Sequence, residues 1–188
     1  FEKMAERLNR NGFDVKDRNL FINHTLWSRN GKWIYFFVRA GWKSDKDGRE
    51  GLNVACSIKV DGTQFFAGHK NIGGHPEWGN GTEIFGSYNN KQVVYDIITK
   101  KIKRTIGSKE IFPKPGGDIS LSPNYEWLVN GYNDKAGTNL YSLMNLKNGD
   151  WVNMPSFNTG AYKKDLSIDP APRWNHDNNK ILVSGLDK

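Results

Sequence analysis

The stretch Gly74-His75-Pro76-Glu77-Trp78-Gly79-Asn80-Gly81-Thr82-Glu83-Ile84-Phe85 reads as a short strand, a polar turn and a second, apolar strand. Three other stretches align with it: Ile22 to Phe36, Asp118 to Val129 and Ala171 to Val183. Their large apolar anchors, Trp27, Trp78, Leu121 and Trp174, stand 51, 43 and 53 residues apart. A repeat of about 40 to 50 residues with strand patterning is the mark of a β-propeller, one four-stranded blade per copy. After each anchor comes Asn30-Gly31, Asn80-Gly81, Asn124-Tyr125 or Asn178-Asn179. Asn and Gly tolerate positive φ, so each pair is read as a two-residue hairpin.

Working outward, apolar runs complete the blades. They are Leu52 to Val60 and Thr63 to Ala67, then Gln92 to Ile98 and Ile102 to Ile106, then Asn139 to Leu146 and Trp151 to Met154. Asp61-Gly62 and Asn148-Gly149 mark turns between them. The fold class expected is all-β, a propeller fragment of about three and a half four-stranded antiparallel blades from a seven-bladed ring, which needs roughly 300 residues or more. Residues 1–22 are expected to form a helix and a connection from a preceding blade. Residues 23–188 are expected to hold blades at 23–68, 73–107, 116–155 and, incomplete, 169–188. The helix is read from Phe1, Met4, Ala5 and Leu8 on one face, with Gly12 as its cap.

Composition agrees and excludes several classes. Of 188 residues, 13% are aromatic and Gly numbers 20, which favours strands joined by tight turns. No apolar run is long enough to span a membrane. Cys56 is the single cysteine, so neither a disulfide framework nor a cysteine-cluster zinc site can form. Gly73-Gly74 and Gly116-Gly117 lead into strands, not helices, so no phosphate loop is present. There is no nucleophile elbow and no nucleic-acid module, and nucleic acid is set aside as a partner. A net charge of +7 suits an anionic partner such as an acidic polysaccharide or oligosaccharide, and equally a solvated lysine-rich surface. The compartment stays open, with a lean to the periplasm or outside.

Gly74-His75-Pro76-Glu77-Trp78 and Pro172-Arg173-Trp174 resemble the TolB-like propeller repeat. A narrower run, Ile22-Asn23-His24, Trp27, Asn30-Gly31 and Phe37-Val38-Arg39, is similar to seven-bladed polysaccharide lyases of the oligogalacturonate-lyase and ulvan-lyase types. The resemblance implies a carbohydrate-active propeller: a lyase, or a degenerate relative that binds a uronate-containing chain. It implies that Arg39 neutralises the uronate carboxylate and that histidines handle the proton. It also implies a channel metal held by His and Cys. Asn23 stands where a Tyr is wanted, Asp118 and Ala171 where relatives carry His, and Ile168 near the Cys position. A non-enzymatic TolB-like scaffold that binds a protein partner is the alternative.

From chemistry alone, His24, His75 and Asp118 share one offset, three residues before their anchors, and Ala171 completes the set. Two imidazoles and a carboxylate could hold a divalent metal such as Zn, Mn, Fe or Ca, or form a proton-transfer cluster, or each cap an inner strand. Arg39 and His24 are the candidate catalytic residues. Arg39 is expected to return to the His24 end through the hairpin and to offer a carboxylate its planar fork. Trp42 and Arg49, on the following loop, are candidate substrate contacts through stacking and charge. His69 is read as a solvated loop residue and His176 as a surface turn. The basic run Lys100 to Arg104 is read as an ordinary edge strand.

Overall fold

A computed structural model describes residues 2–44, 48–134, 136–159 and 168–185, with the side chains of 42–44 left aside. The described chain is all-β apart from one helix, with propeller-type blades. It divides into two compact units. One holds residues up to Asn71 with Asp96–Lys101, and the other holds Ile72–Tyr95 with residues from Ile102 on.

In the first unit, β1 (Phe21–Trp27), β2 (Trp33–Ser44), β3 (Glu50–Lys59) and β4 (Phe66–Ala67) form one antiparallel sheet in chain order. Phe36, Val38, Val54, Cys56 and Ala67 are buried on one side of it. Helix α1 (Glu2–Arg10) sends Leu8 into that core, with Met4 and Ala5 partly buried beside it. Gly12 ends the helix at φ +83°, with its N–H on Asn9 O at 3.0 Å and the Phe13 N–H on Leu8 O at 3.1 Å. These two bonds make a Schellman cap, whose left-handed residue favours glycine.

In the second unit, the strands β5 (Gly73–Trp78), β6 (Glu83–Tyr88), β7 (Lys91–Asp96) and β8 (Lys101–Ile106) are hydrogen-bonded in sequence. So are β9 (Asp118–Leu121), β10 (Trp127–Asn133), β11 (Thr138–Asn145) and β12 (Trp151–Asn153), with β13 (Phe157–Asn158) also on β11. A short pair, β14 (Arg173–Trp174) with β15 (Ile181–Leu182), begins a further copy. Phe85, Val94, Ile106, Phe112, Ile119, Leu121 and Leu128 form the core of this unit.

The four turns after the anchors differ from the expected two-residue hairpins. Ser28 N–H bonds Trp33 O at 2.8 Å and Ser122 N–H bonds Trp127 O at 2.8 Å, enclosing longer loops. The hydroxyl after the anchor explains why. Ser122 Oγ accepts the Glu126 and Trp127 N–H groups at 3.1 and 2.9 Å and donates to Asn124 Oδ1 at 2.7 Å. Ser28 does the same for Lys32 and Trp33, and Asn175 Oδ1 takes the Asn179 and Lys180 amides. In the copy with Gly79 at this position no side chain is available, and the loop is one residue shorter, closed by Gly79 N–H on Glu83 O at 2.8 Å. The two-residue hairpin is elsewhere, at Asn89-Asn90, with φ of 49° and 56° at both central residues as a type I′ turn requires.

His69 is not a solvated loop residue. It is 6% exposed, its Nε2 lies 2.8 Å from Ser57 Oγ, and its ring packs near Tyr35. Burial, helped by the Lys100 charge, pushes its pKa down to about 4.

Two stability outcomes follow from these contacts. Ser122→Ala leaves the half-buried Trp127 N–H without its acceptor and the Glu126 N–H with Asn124 Oδ1 alone, and should cost about 1 to 2 kcal/mol in urea unfolding. A loss under about 0.3 kcal/mol would deny the lock its role. His69 is neutral when folded, so its unfolded form binds the extra proton. Its contribution is complete above its unfolded value near 6.5 and is lost as pH falls through 6.5 to about 4, on the order of 3 kcal/mol. His69→Gln should flatten that part of the stability–pH curve; an unchanged slope would count against the assignment.

Candidate functional site

The site in the second unit begins with glycine. β5 and β9 run parallel where His75 pairs with Asp118. A Cβ on Gly117 would lie 2.1 Å from Gly131 O, and one on Gly74 would lie 2.9 Å from Gly116 O. Both backbone approaches are therefore closed to any other residue. Glu77 strengthens the same junction, its Oε2 accepting the Leu121 N–H at 2.6 Å.

At this junction Asp118 Oδ1 meets His75 Nδ1, and Asp118 Oδ2 accepts the Ala171 N–H at 2.9 Å. One carboxylate thus joins three successive copies of the repeat. Burial works to raise the Asp118 carboxyl, but the His75 ring and the Ala171 amide outweigh it and hold it below the ordinary carboxylate range. It is an anion and can only accept, so Nδ1 of His75 carries a proton and, in the neutral ring, Nε2 carries the lone pair. The Asp118 bond raises the His75 pKa above its usual value; partial burial opposes this, the Asp118 and Asp169 charges add to it, and Arg173 subtracts. The His75 side chain is 52% exposed.

A cavity of about 320 Å³ opens here, lined by His75, Asp118, Lys114, Asp169, Gly117 and Tyr132 among others. Lys114 Nζ donates to Asn133 O at 2.5 Å and lies 5.9 Å from the Tyr132 ring centre. A proton acceptor, a fixed anion and a cation therefore share one polar hollow.

The other expected residues lie in the first unit. His24 sits at φ +50° where the β1–β2 register slips between Asn23 and Leu26, its ring edge-on to Phe37 at 5.9 Å. Arg39 lies over the same Phe37 ring at 5.2 Å, and its Nε donates to Asn53 Oδ1 at 3.0 Å. The hairpin brings His24 and Arg39 to one aromatic ring, that of Phe37, and burial lowers the Arg39 pKa from its usual value. Arg49 is held by Asp14 Oδ2 at 3.1 Å and Lys16 O at 3.0 Å, which ties β3 to the segment after α1. Trp42 belongs to β2, and its side chain lies outside the described residues.

Of the residues at the shared offset, His75 and Asp118 meet within the second unit. β5 slips register between Gly73 and Glu77 as β1 does between Asn23 and Leu26, whereas β9 pairs regularly. Among the described residues no group of three or more His, Cys, Asp or Glu side chains is disposed to hold a metal. The donors that do meet do not fit one: both Asp118 oxygens and His75 Nδ1 are taken by hydrogen bonds. Lys114, Asp169 and the Ala171 amide escaped sequence reading. Gly116-Gly117 and Gly73-Gly74 were visible as strand leads, and a demand for close backbone approach was the signal they carried.

No family model matches the sequence and no curated protein matches it. Among solved structures the chain is similar to TolB from Acinetobacter baumannii, with a TM-score of 0.57 at 12% identity over 92% of this chain and 39% of that one. It is also similar to an oligogalacturonate lyase in complex with manganese, with a TM-score of 0.57 at 15% identity over 88% of this chain and 45% of that one. The chain thus spans less than half the length of each. At such identities the likeness shows the fold, a TolB-like β-propeller.

A proton NMR titration of the His75 ring checks the pairing. Its midpoint should lie above 6.5 in the native chain and fall in Asp118→Asn, which removes the charge and the bond that raise it. An identical midpoint in both proteins would show that the pair does not form.

Proposed function

We propose that this chain is part of a carbohydrate-active propeller that binds a uronate-containing polysaccharide at the His75–Asp118 hollow and cleaves it by β-elimination. The observation that carries this reading is the imidazole whose Nδ1 proton is held by a buried carboxylate. Such a partner orients the ring and strengthens Nε2 as a base. The similarity to a solved oligogalacturonate lyase lends support to the substrate class.

In this reading His75 Nε2 takes the proton from the carbon next to the uronate carboxylate. The electron pair left behind becomes the new carbon–carbon double bond, the glycosidic carbon–oxygen bond breaks, and the departing oxygen takes a proton from water. Lys114, at the wall of the same cavity, balances the carboxylate as negative charge builds on it. Arg39 and His24 form a separate proposed carbohydrate contact in the first unit, where the guanidinium suits an acid group.

The product of elimination carries a double bond conjugated to its carboxylate and absorbs in the ultraviolet. Incubating the full protein that contains this chain with polygalacturonate, alginate, ulvan and heparinoids should therefore raise absorbance on one of them. His75→Ala should lower that rate by roughly 10²- to 10⁴-fold, and Lys114→Ala by roughly a hundredfold. In Asp118→Asn the acid limb of the rate profile should move to lower pH, because the base loses the group that raises its pKa. No absorbance rise on any uronate polymer, with a protein partner recovered instead, would overturn the reading in favour of a scaffold.

A further inference from the structure

A second cavity, of about 370 Å³, lies in the same unit and carries an observation of its own. Its wall includes Lys91 and Gln92 at the start of β7, Thr105 and Ile106 at the end of β8, and Lys109 and Phe112 in the connection that follows. Gln92 is 1% exposed, and neither its Nε2 nor its Oε1 has a hydrogen-bond partner among the described residues. A buried amide with both ends unsatisfied is costly, and native proteins keep such groups where something else completes them. Phe112 closes one side: a Cβ on Gly107, which has φ +60°, would lie 2.8 Å from the Phe112 ring. The type I′ turn Asn89-Asn90 forms part of the rim.

The charge and the amide together define what fits. Lys91 and Lys109 favour an anion. Gln92 supplies a donor and an acceptor side by side, so its complement must accept at one atom and donate at another. A carboxylate beside a hydroxyl does both, whereas a fully deprotonated inorganic anion such as sulfate only accepts. The volume falls in the lower part of the range of small-molecule sites, about 300 to 1,000 Å³.

The topology places the cavity usefully. Antiparallel order brings the β6–β7 turn and the end of β8 to the end of the sheet where β5 and β9 begin. The β8–β9 connection contributes Ser108, Lys109 and Phe112 to this cavity, and Lys114, Gly116 and Gly117 to the His75–Asp118 hollow. We propose that the Gln92 cavity is a binding subsite for one hydroxylated carboxylate, an acidic sugar unit, on the same end of the unit as the His75–Asp118 hollow. It extends the functional reading given above but stands on the Gln92 observation.

The test uses free galacturonate as the probe on the intact chain, with galactose and inorganic sulfate as comparisons. Binding is followed by calorimetry and by the Gln92 side-chain amide signal in NMR. Galacturonate should bind and shift that signal, while galactose and sulfate should each bind at least tenfold more weakly. Gln92→Leu, and separately the pair Lys91→Gln with Lys109→Gln, should weaken galacturonate at least tenfold. Gln92→Glu keeps the side-chain shape, places like charge against the carboxylate and should abolish binding; it also serves if the Leu variant fails to fold. Galacturonate affinity unchanged by Gln92→Glu, or sulfate binding as tightly as galacturonate, would overturn the subsite. Cleavage of a polymer by a protein that fails this test would leave the lyase reading standing and remove only the subsite. Galacturonate binding at Gln92 in a protein that cleaves nothing would keep the subsite and remove the lyase.

Discussion

Two strands, β5 and β9, lie so close at their first residues that only backbone fits between them and their neighbours. The missing side chains of Gly74 and Gly117 make that approach possible, since any Cβ there would collide with carbonyl groups of Gly116 and Gly131. Everything else at the site depends on this. The parallel pairing of His75 with Asp118 is one residue long, too short to hold two blades by backbone bonds alone. Side chains supply the rest: the His75–Asp118 bond, the Asp118 bond to Ala171 N–H and the Glu77 bond to Leu121 N–H.

This arrangement gives Asp118 a structural and a chemical part at once. As a junction it connects three copies of the repeat, and as a buried anion it sets the tautomer and basicity of His75. Its low pKa and the raised pKa of His75 are two sides of one interaction. For His75 the sign of the linkage is opposite to that of His69. A raised pKa gives stability that is complete below the unfolded value near 6.5 and fades as pH rises through the folded value. A buried neutral histidine in the first unit and a paired, half-exposed histidine in the second therefore favour opposite ends of the neutral range.

Much of the fold was legible because it repeats. The large apolar anchors, the Asn and Gly after them and the alternating strands recur at blade spacing, and each local preference agrees with the same architecture. The turns were misjudged because a hydroxyl one residue past the anchor, at Ser28 and Ser122, stabilises a longer loop than Asn-Gly alone suggests. The candidate site was legible in part. His75 and Asp118 stood out by their shared offset and do meet. His24 stood out by the same offset and lies in the first unit, with its ring edge-on to Phe37. Ala171 looked like a loss of function because its side chain has no chemistry. Its backbone N–H serves Asp118 instead, which no pattern of side chains announces. His69 was missed because a histidine between Gly68 and Lys70 looks exposed, whereas Ser57 and the ring of Tyr35 enclose it.

The account rests on the Asp118 carboxylate holding the His75 ring, and a double-mutant cycle measures that bond directly. Unfolding free energies of the native chain, His75→Ala, Asp118→Asn and the double variant would be compared at pH 6 and at pH 9. After discounting for the half-exposed ring, the account predicts a coupling of about 1 kcal/mol at pH 6, where the ring is charged, and a smaller one at pH 9. Free energies that add within about 0.3 kcal/mol at both pH values would contradict it.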